Sequence, residues 1–165
     1  MTTRAESNRG NTDLDLVLTR DIDVPRELVW EAWTNPRHLE KWWTPAPWTT
    51  EVLEFEPRPG GSFRTMMRGP EGEEHDNRGA FLEVVENERI VFTDAVGPGY
   101  RPARQPFMTA VITLEDHAGG TRYTARVLHK DEADRDKHEK MGFFEGWGTC
   151  IEQLAAVARE LGRSR

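Results

Sequence analysis

Apolar and polar side chains alternate where the hydrophobic pattern begins. Leu14, Leu16, Leu18 and Ile22 share one parity, and Asp13, Asp15, Val17, Thr19 and Asp21 share the other; Arg20 is the break in the apolar row. A period of two with one apolar face predicts a half-buried strand over residues 13–22. Pro25 then suits the first turn of a helix, where its missing N–H has no partner to lose. Leu28, Val29, Ala32 and Trp33 follow at helical spacing until Asn35-Pro36 stops the helix. A second short helix is predicted over 36–43, up to the break at Pro45 and Pro47.

Strand patterns fill the middle of the chain, over 49–56, 61–68, 78–86, 89–95, 107–115 and 121–129, with turn-forming residues between them. Connections of hairpin length with no helix between predict an antiparallel meander. The longest connection, 97–106, is too rich in Pro for a strand, and reads either as a wide hairpin loop or as a gate over a site. The last pattern is helical, over 133–162. Steps of about 100° per residue place Phe143, Trp147, Cys150, Ile151, Leu154, Ala158 and Leu161 on one stripe, with Glu145, Thr149, Glu152, Arg159 and Glu160 opposite. Gly142, Gly146 and Gly148 fall inside that helix, each at about 1 kcal/mol relative to Ala. Gly146 and Gly148 lie on the rims of the stripe, where they allow close packing or leave room beside large rings. Gly142 lies on the polar side.

The sum is an α+β fold: a curved antiparallel sheet wrapped around a long C-terminal helix, with two short helices after the first strand. The parity predicted to face that helix takes in Phe63, Met67, Phe81, Val85, Ile90, Phe92, Met108, Ala110, Ile112, Tyr123, Ala125, Val127 and His129. These side chains either fill a core or surround a small apolar pocket, and periodicity does not choose between the two.

Composition narrows the function. At 165 residues the chain suits one domain, predicted over 13–162, behind a leader over 1–12 that lacks large apolar side chains and is expected to be disordered. A net charge of −7 argues against nucleic acid and anionic membranes as partners. No apolar run reaches the ~20 residues of a membrane span, so membrane insertion is not expected. The N-terminus lacks a signal-peptide pattern, which makes a cytoplasmic location the expectation. The single cysteine, Cys150, excludes an internal disulfide and multi-cysteine metal centres. Against a modest 36% hydrophobic content stand six Trp and seven Phe, five of the Trp between Trp30 and Trp48. Much of the apolar material therefore arrives as large rings.

The stretch Val24-Pro25-Arg26-Glu27-Leu28-Val29-Trp30, running on through Trp33, Asn35 and Pro36 to Lys41-Trp42-Trp43, resembles the opening motif of bacterial proteins similar to the activator of heat-shock-protein-90 ATPase. Further matching segments are Arg58-Pro59-Gly60-Gly61-Ser62-Phe63-Arg64, Asn87-Glu88-Arg89-Ile90-Val91-Phe92-Thr93, Val127-Leu128-His129, and His138 through Gly148. Those proteins belong to the START-like, birch-pollen-allergen-like helix-grip superfamily. The resemblance covers about 13–161 and implies a helix-grip fold with a cavity between sheet and C-terminal helix. It implies no single activity, because the superfamily includes lipid carriers, hormone receptors and cyclases. The eukaryotic activator carries a further large N-terminal domain where this chain has a short leader, so chaperone activation is not expected.

The favoured expectation is a binder of a hydrophobic or amphipathic small molecule. Its wall would be Phe63, Met67, Phe81, Phe92, Met108, Tyr123, Phe143 and Trp147, with His129 as the polar group. An alternative is an enzyme, such as a cyclase, dehydratase or hydrolase, acting on a hydrophobic substrate in the same cavity. His129 and His138, predicted near one end of the cavity, are the acid–base candidates, and Glu83 and Asp94 are weaker partners on inward parity. A second alternative is a chaperone-linked or partner-binding protein with a filled core. Trp42, Trp43 and Trp48 flank the Pro-rich corner as wall, mouth or partner surface, and such a surface leaves a homodimer open. Cys150 reads as a small buried hydrophobe. His38, His75 and His117 show no metal-ligand spacing, and no cofactor motif is present, so neither metal nor cofactor is expected.

Overall fold

The computed structural model describes residues 13–164, so the leader expected over 1–12 lies outside the described residues. Strand β1 (Asp15–Ile22) leads into helices α1 (Arg26–Thr34) and α2 (Pro36–Leu39), then strands β2 (Thr49–Phe55), β3 (Ser62–Arg68), β4 (Glu74–Val85) and β5 (Arg89–Thr93). A small hairpin, β6 (Val96–Gly97) with β7 (Arg101–Pro102), precedes β8 (Thr109–His117) and β9 (Gly120–Leu128). Helices α3 (Glu132–Lys140) and α4 (Phe143–Arg163) follow. The seven long strands form one antiparallel sheet in the order β1-β9-β8-β5-β4-β3-β2.

In β1 Asp15, expected outward, is buried in an ion pair with Arg126 (2.8 Å), but Val17 and Thr19 face out as predicted, and Leu16, Leu18 and Ile22 are buried. Ala110 and Ile112 of β8 and Ala125 and Val127 of β9 join them in one core with Phe143, Ile151, Leu154 and Ala158 of α4. The sheet therefore grips α4 along its apolar stripe, and the fold is an α+β helix-grip. Helix α1 packs alongside α4 and buries Val29, Ala32 and Trp33. The Trp33 indole donates to the Tyr123 hydroxyl (3.0 Å) and the Trp42 indole to the Ala32 carbonyl (2.9 Å), so both polar edges are satisfied inside the core.

Four further expectations need correction. The C-terminal helix is two helices: Met141 ends α3, and Gly142, at φ +95°, turns the chain into α4. The left-handed conformation favours glycine, so Gly142 is a junction and not an interior residue. Helix α2 stops at Leu39, where the Glu40 carboxylate accepts the Val52 N–H (2.8 Å) and ties the chain to β2. A bulge in β4 between Phe81 and Glu83 shifts the parity, so Val84 packs on the core where Val85 was expected. The same shift turns Glu83 outward, into an ion pair with Arg89. Finally, the connection expected over 97–106 is pinched by two short strands, β6 starting one residue earlier at Val96, and the Gly99 N–H bonded to the Gly60 carbonyl (2.9 Å) pins them to the β2–β3 turn.

Candidate functional site

Between the inner face of the sheet and α4 the side chains leave a cavity of about 340 Å³. Phe63, Thr65 and Met67 of β3, Asn77, Arg78 and Gly79 of β4, and Phe92 and Thr93 of β5 line the sheet side with Ile112 and Tyr123, the Arg78 guanidinium being paired with Asp76 (3.0 Å). Trp42 and Trp43 line it after α2, and Asp94, Phe107 and Met108 line it on the two flanks of the small hairpin. His138, Met141, Trp147, Cys150 and Ile151 close it from α3, the junction and α4. Met141 is 66% exposed, which places it on the rim. Gly79 keeps β4 tight against β5, because a Cβ there would strike the Thr93 carbonyl oxygen.

The aromatic wall is self-supporting. Trp43 lies 5.3 Å from Phe63 and 5.6 Å from Phe92 between ring centroids, and Phe63 and Phe92 are 5.3 Å apart. Phe81 stacks behind Phe63 at 4.8 Å. Rings wedged at these tilted and stacked angles hold each other in place, so the wall resists collapse into the space beside it.

Three polar groups on the lining are already committed to the protein. Asp94 accepts the N–H groups of Phe107 (2.8 Å) and Met108 (3.0 Å), which fixes the chain entering β8. The Cys150 thiol donates to the Trp43 carbonyl (3.4 Å), and burial pushes its pKa up to about 12, so it stays a thiol. Burial also raises the Tyr123 phenol well above its ordinary value, with the Trp33 N–H opposing.

The histidines meet at the α3 end. His129 Nδ1 lies 2.8 Å from the Leu14 carbonyl, and His129 Nε2 lies 3.0 Å from His138 Nδ1. Phe107 packs on both rings, and Phe143 and Trp147 pack on His138. Desolvation, reinforced by His129, lowers the His138 pKa to about 4, so this imidazole is neutral near pH 7.

Six of the nine side chains proposed from the sequence line this space: Phe63, Met67, Phe92, Met108, Tyr123 and Trp147. Phe81, Phe143 and His129 stand one layer behind, against Phe63, Trp147 and His138 respectively. The other histidine, His138, is the one on the lining. Sequence reasoning passed over Asn77, Arg78, Phe107 and Met141, and had Ile151 only as part of the apolar stripe. Met141 could have been flagged by the glycine after it, whereas Asn77 sits in a polar run that carries no inward signal. Trp48 stacks on His75 at 5.6 Å, away from the lining. The 97–106 connection contributes no lining residue, as fits a hairpin loop. Among the described residues no three His, Cys, Asp or Glu are grouped to hold a metal ion. No helix among them is long and apolar enough to cross a membrane.

Several solved structures share this architecture. A crystal structure of a Nitrosomonas europaea protein is 44% identical, covers 92% of this chain and 98% of its own, and superposes with a TM-score of 0.88. A Mycobacterium smegmatis protein is 29% identical over 89% of this chain and 91% of its own, at 0.76. An Arthrobacter aurescens protein, solved by solution NMR, is 28% identical over 90% and 87%, at 0.78. No curated protein matches the chain. Residues 23–159 match the family described as Activator of Hsp90 ATPase homolog 1-like protein, a span that takes in the N-terminal motif, strands β2 to β9 and most of α4, with β1 just before it. The chain belongs to the Activator of Hsp90 ATPase homolog 1-like family.

Proposed function

We propose that the protein binds a hydrophobic or amphipathic small molecule between the sheet and α4. The observation that carries this reading is the cavity of about 340 Å³, walled by braced aromatic rings. Its size falls in the range of small-molecule sites. Affinity would come from water released off Trp43, Phe63, Phe92, Met108 and Trp147, at roughly 25 cal/mol per Å² of apolar surface covered. A filled core, which the partner-binding alternative needs, is at odds with that space. The site is complete within one chain, so the reading does not require a homodimer. It retains the expectation of a single cytoplasmic domain.

The groups on the lining support binding over turnover. Cys150 holds its proton, Asp94 is engaged by two backbone N–H groups, and His138 is a weak base at a pKa of about 4. Native mass spectrometry of protein purified from its own organism tests the reading directly, with one small molecule per chain expected. Isothermal calorimetry with 2-naphthol supplies a defined probe. One site per chain is expected, with affinity about tenfold weaker in Trp147→Ala. Unchanged affinity in that variant would overturn the assignment of the cavity as the binding site.

A further inference from the structure

Helix α3 is strongly polar, and His138 is the residue it buries, at 8% exposure. The ring is oriented by a chain of directional bonds that begins outside the cavity. The Leu14 carbonyl can only accept, so His129 Nδ1, 2.8 Å away, carries a proton and donates it. A neutral imidazole has one N–H, which leaves His129 Nε2 as a lone pair. That lone pair lies 3.0 Å from His138 Nδ1, and the contact is a hydrogen bond when His138 carries its proton on Nδ1. His138 Nε2 is then the bare nitrogen. No group among the described residues bonds it, and His138 lines the cavity while His129 does not.

The surroundings offer no counter-charge to this pair. The ion pairs made by histidines among the described residues are those of His38 and His117, so no carboxylate stands against His129 or His138. Asp94, on the same cavity, is turned to the Phe107 and Met108 N–H groups. Lys137 of α3 sits over the Phe107 ring that packs on both imidazoles, and adds positive charge nearby. Around His129, Lys130 is paired with Asp134, and Asp131 caps α3 through the Asp134 N–H. A charged imidazole here would be desolvated without a partner.

We infer that the cavity selects hydrophobic molecules whose polar end is a hydrogen-bond donor, a neutral hydroxyl of the phenol or alcohol class, accepted by His138 Nε2. The inference rests on the binding reading above and adds the polarity of its ligand. His138 is the contacting residue, and His129 is a positioning residue that sets which nitrogen of His138 is bare. An ether of the same shape has no proton to give, and a carboxylate would set a lone pair against a lone pair. The discrimination is that of a buried acceptor left unpaired by the wrong ligand.

The test compares 2-naphthol with 2-methoxynaphthalene on the full chain by calorimetry at pH 7.5. The hydroxyl compound is expected to bind about tenfold tighter, and His138→Phe to bring the two to equal affinity while still binding the ether. Equal affinities in the wild-type protein would overturn the inference and leave cavity binding standing; failure of both compounds to bind would overturn the binding reading itself. An imidazole 1H–15N spectrum of the same protein supplies a readout independent of ligand. Both rings are expected with a protonated Nδ1 and a bare Nε2, and a protonated Nε2 on His138 would overturn the proposal. In His129→Phe the His138 ring is expected to change tautomer; retention of the Nδ1–H form would remove His129 from its positioning task. If that variant fails to fold, the wild-type spectrum still decides.

Discussion

His138 carries a stability signature as well as a chemical one. Its pKa falls to about 4 because the folded protein desolvates the ring and sets His129 beside it. In the unfolded chain an imidazole titrates near 6.5, so between about pH 6.5 and 4 the unfolded state holds more protons than the folded state. Stability therefore drops as pH falls through that window, by about 2 kcal/mol after allowance for solvent screening, and the loss levels off below pH 4. Urea unfolding of wild type and His138→Phe at pH 7.5 and 4.5 isolates the effect. The wild type is expected to lose about 2 kcal/mol more than the variant, and parallel losses would remove His138 as the cause. The sequence made both histidines candidates but ranked them the other way. Strand parity correctly turned His129 inward, yet the docking of α3 placed His138 in front of it.

Helix glycines show how the same residue type serves different purposes. Gly146 has open space where a Cβ would stand, so Gly146→Ala is expected to stabilise α4 by up to about 1 kcal/mol. Gly142 has a φ of +95°, and Gly142→Ala is expected to destabilise by about 1 kcal/mol or more through backbone strain alone. Thermal unfolding of the two variants should move in opposite directions; a shift of the same sign in both would refute the junction assignment. Gly148 differs again, for a Cβ there would meet the guanidinium of Arg20, the polar residue that breaks the apolar row of β1, at an ordinary contact distance of 3.5 Å. A helical wheel treats all three glycines as interior residues because it assumes one unbroken axis. Periodicity counts residues and is blind to the bulge at Phe81 and Glu83 for the same reason, since one extra residue in a strand changes nothing until a partner strand fixes the register.

At the scale of the whole molecule, the proposed binding would couple to stability. A ligand that fills the cavity and does not bind the unfolded chain raises stability by about 2.7 kcal/mol at a concentration one hundred times its Kd. Thermal melting with saturating 2-naphthol should therefore shift upward, and the shift should shrink in Trp147→Ala at equal ligand concentration. No shift in the wild-type protein would count against a site that exists in the native fold. The gain should depend on the assembled wall, because Trp43, Phe63, Phe92 and Trp147 come from four separate elements or connections and meet only around the closed cavity.

Element types, their order and most of the inward-facing residues were determined by the sequence alone, because a strand or helix imprints its period on consecutive side chains. The acidic balance and the absence of a long apolar run are equally local properties of the chain. The tertiary structure decided the rest: the break at Gly142, the outward turn of Glu83, and the order of His129 and His138 along their bond chain. It also decided whether thirteen Trp and Phe rings would fill the core or surround a space. That outcome depends on how closely a curved sheet can approach α4 once rings from distant segments have wedged against one another. No local pattern records this distance, since it is set by packing between residues far apart in the chain.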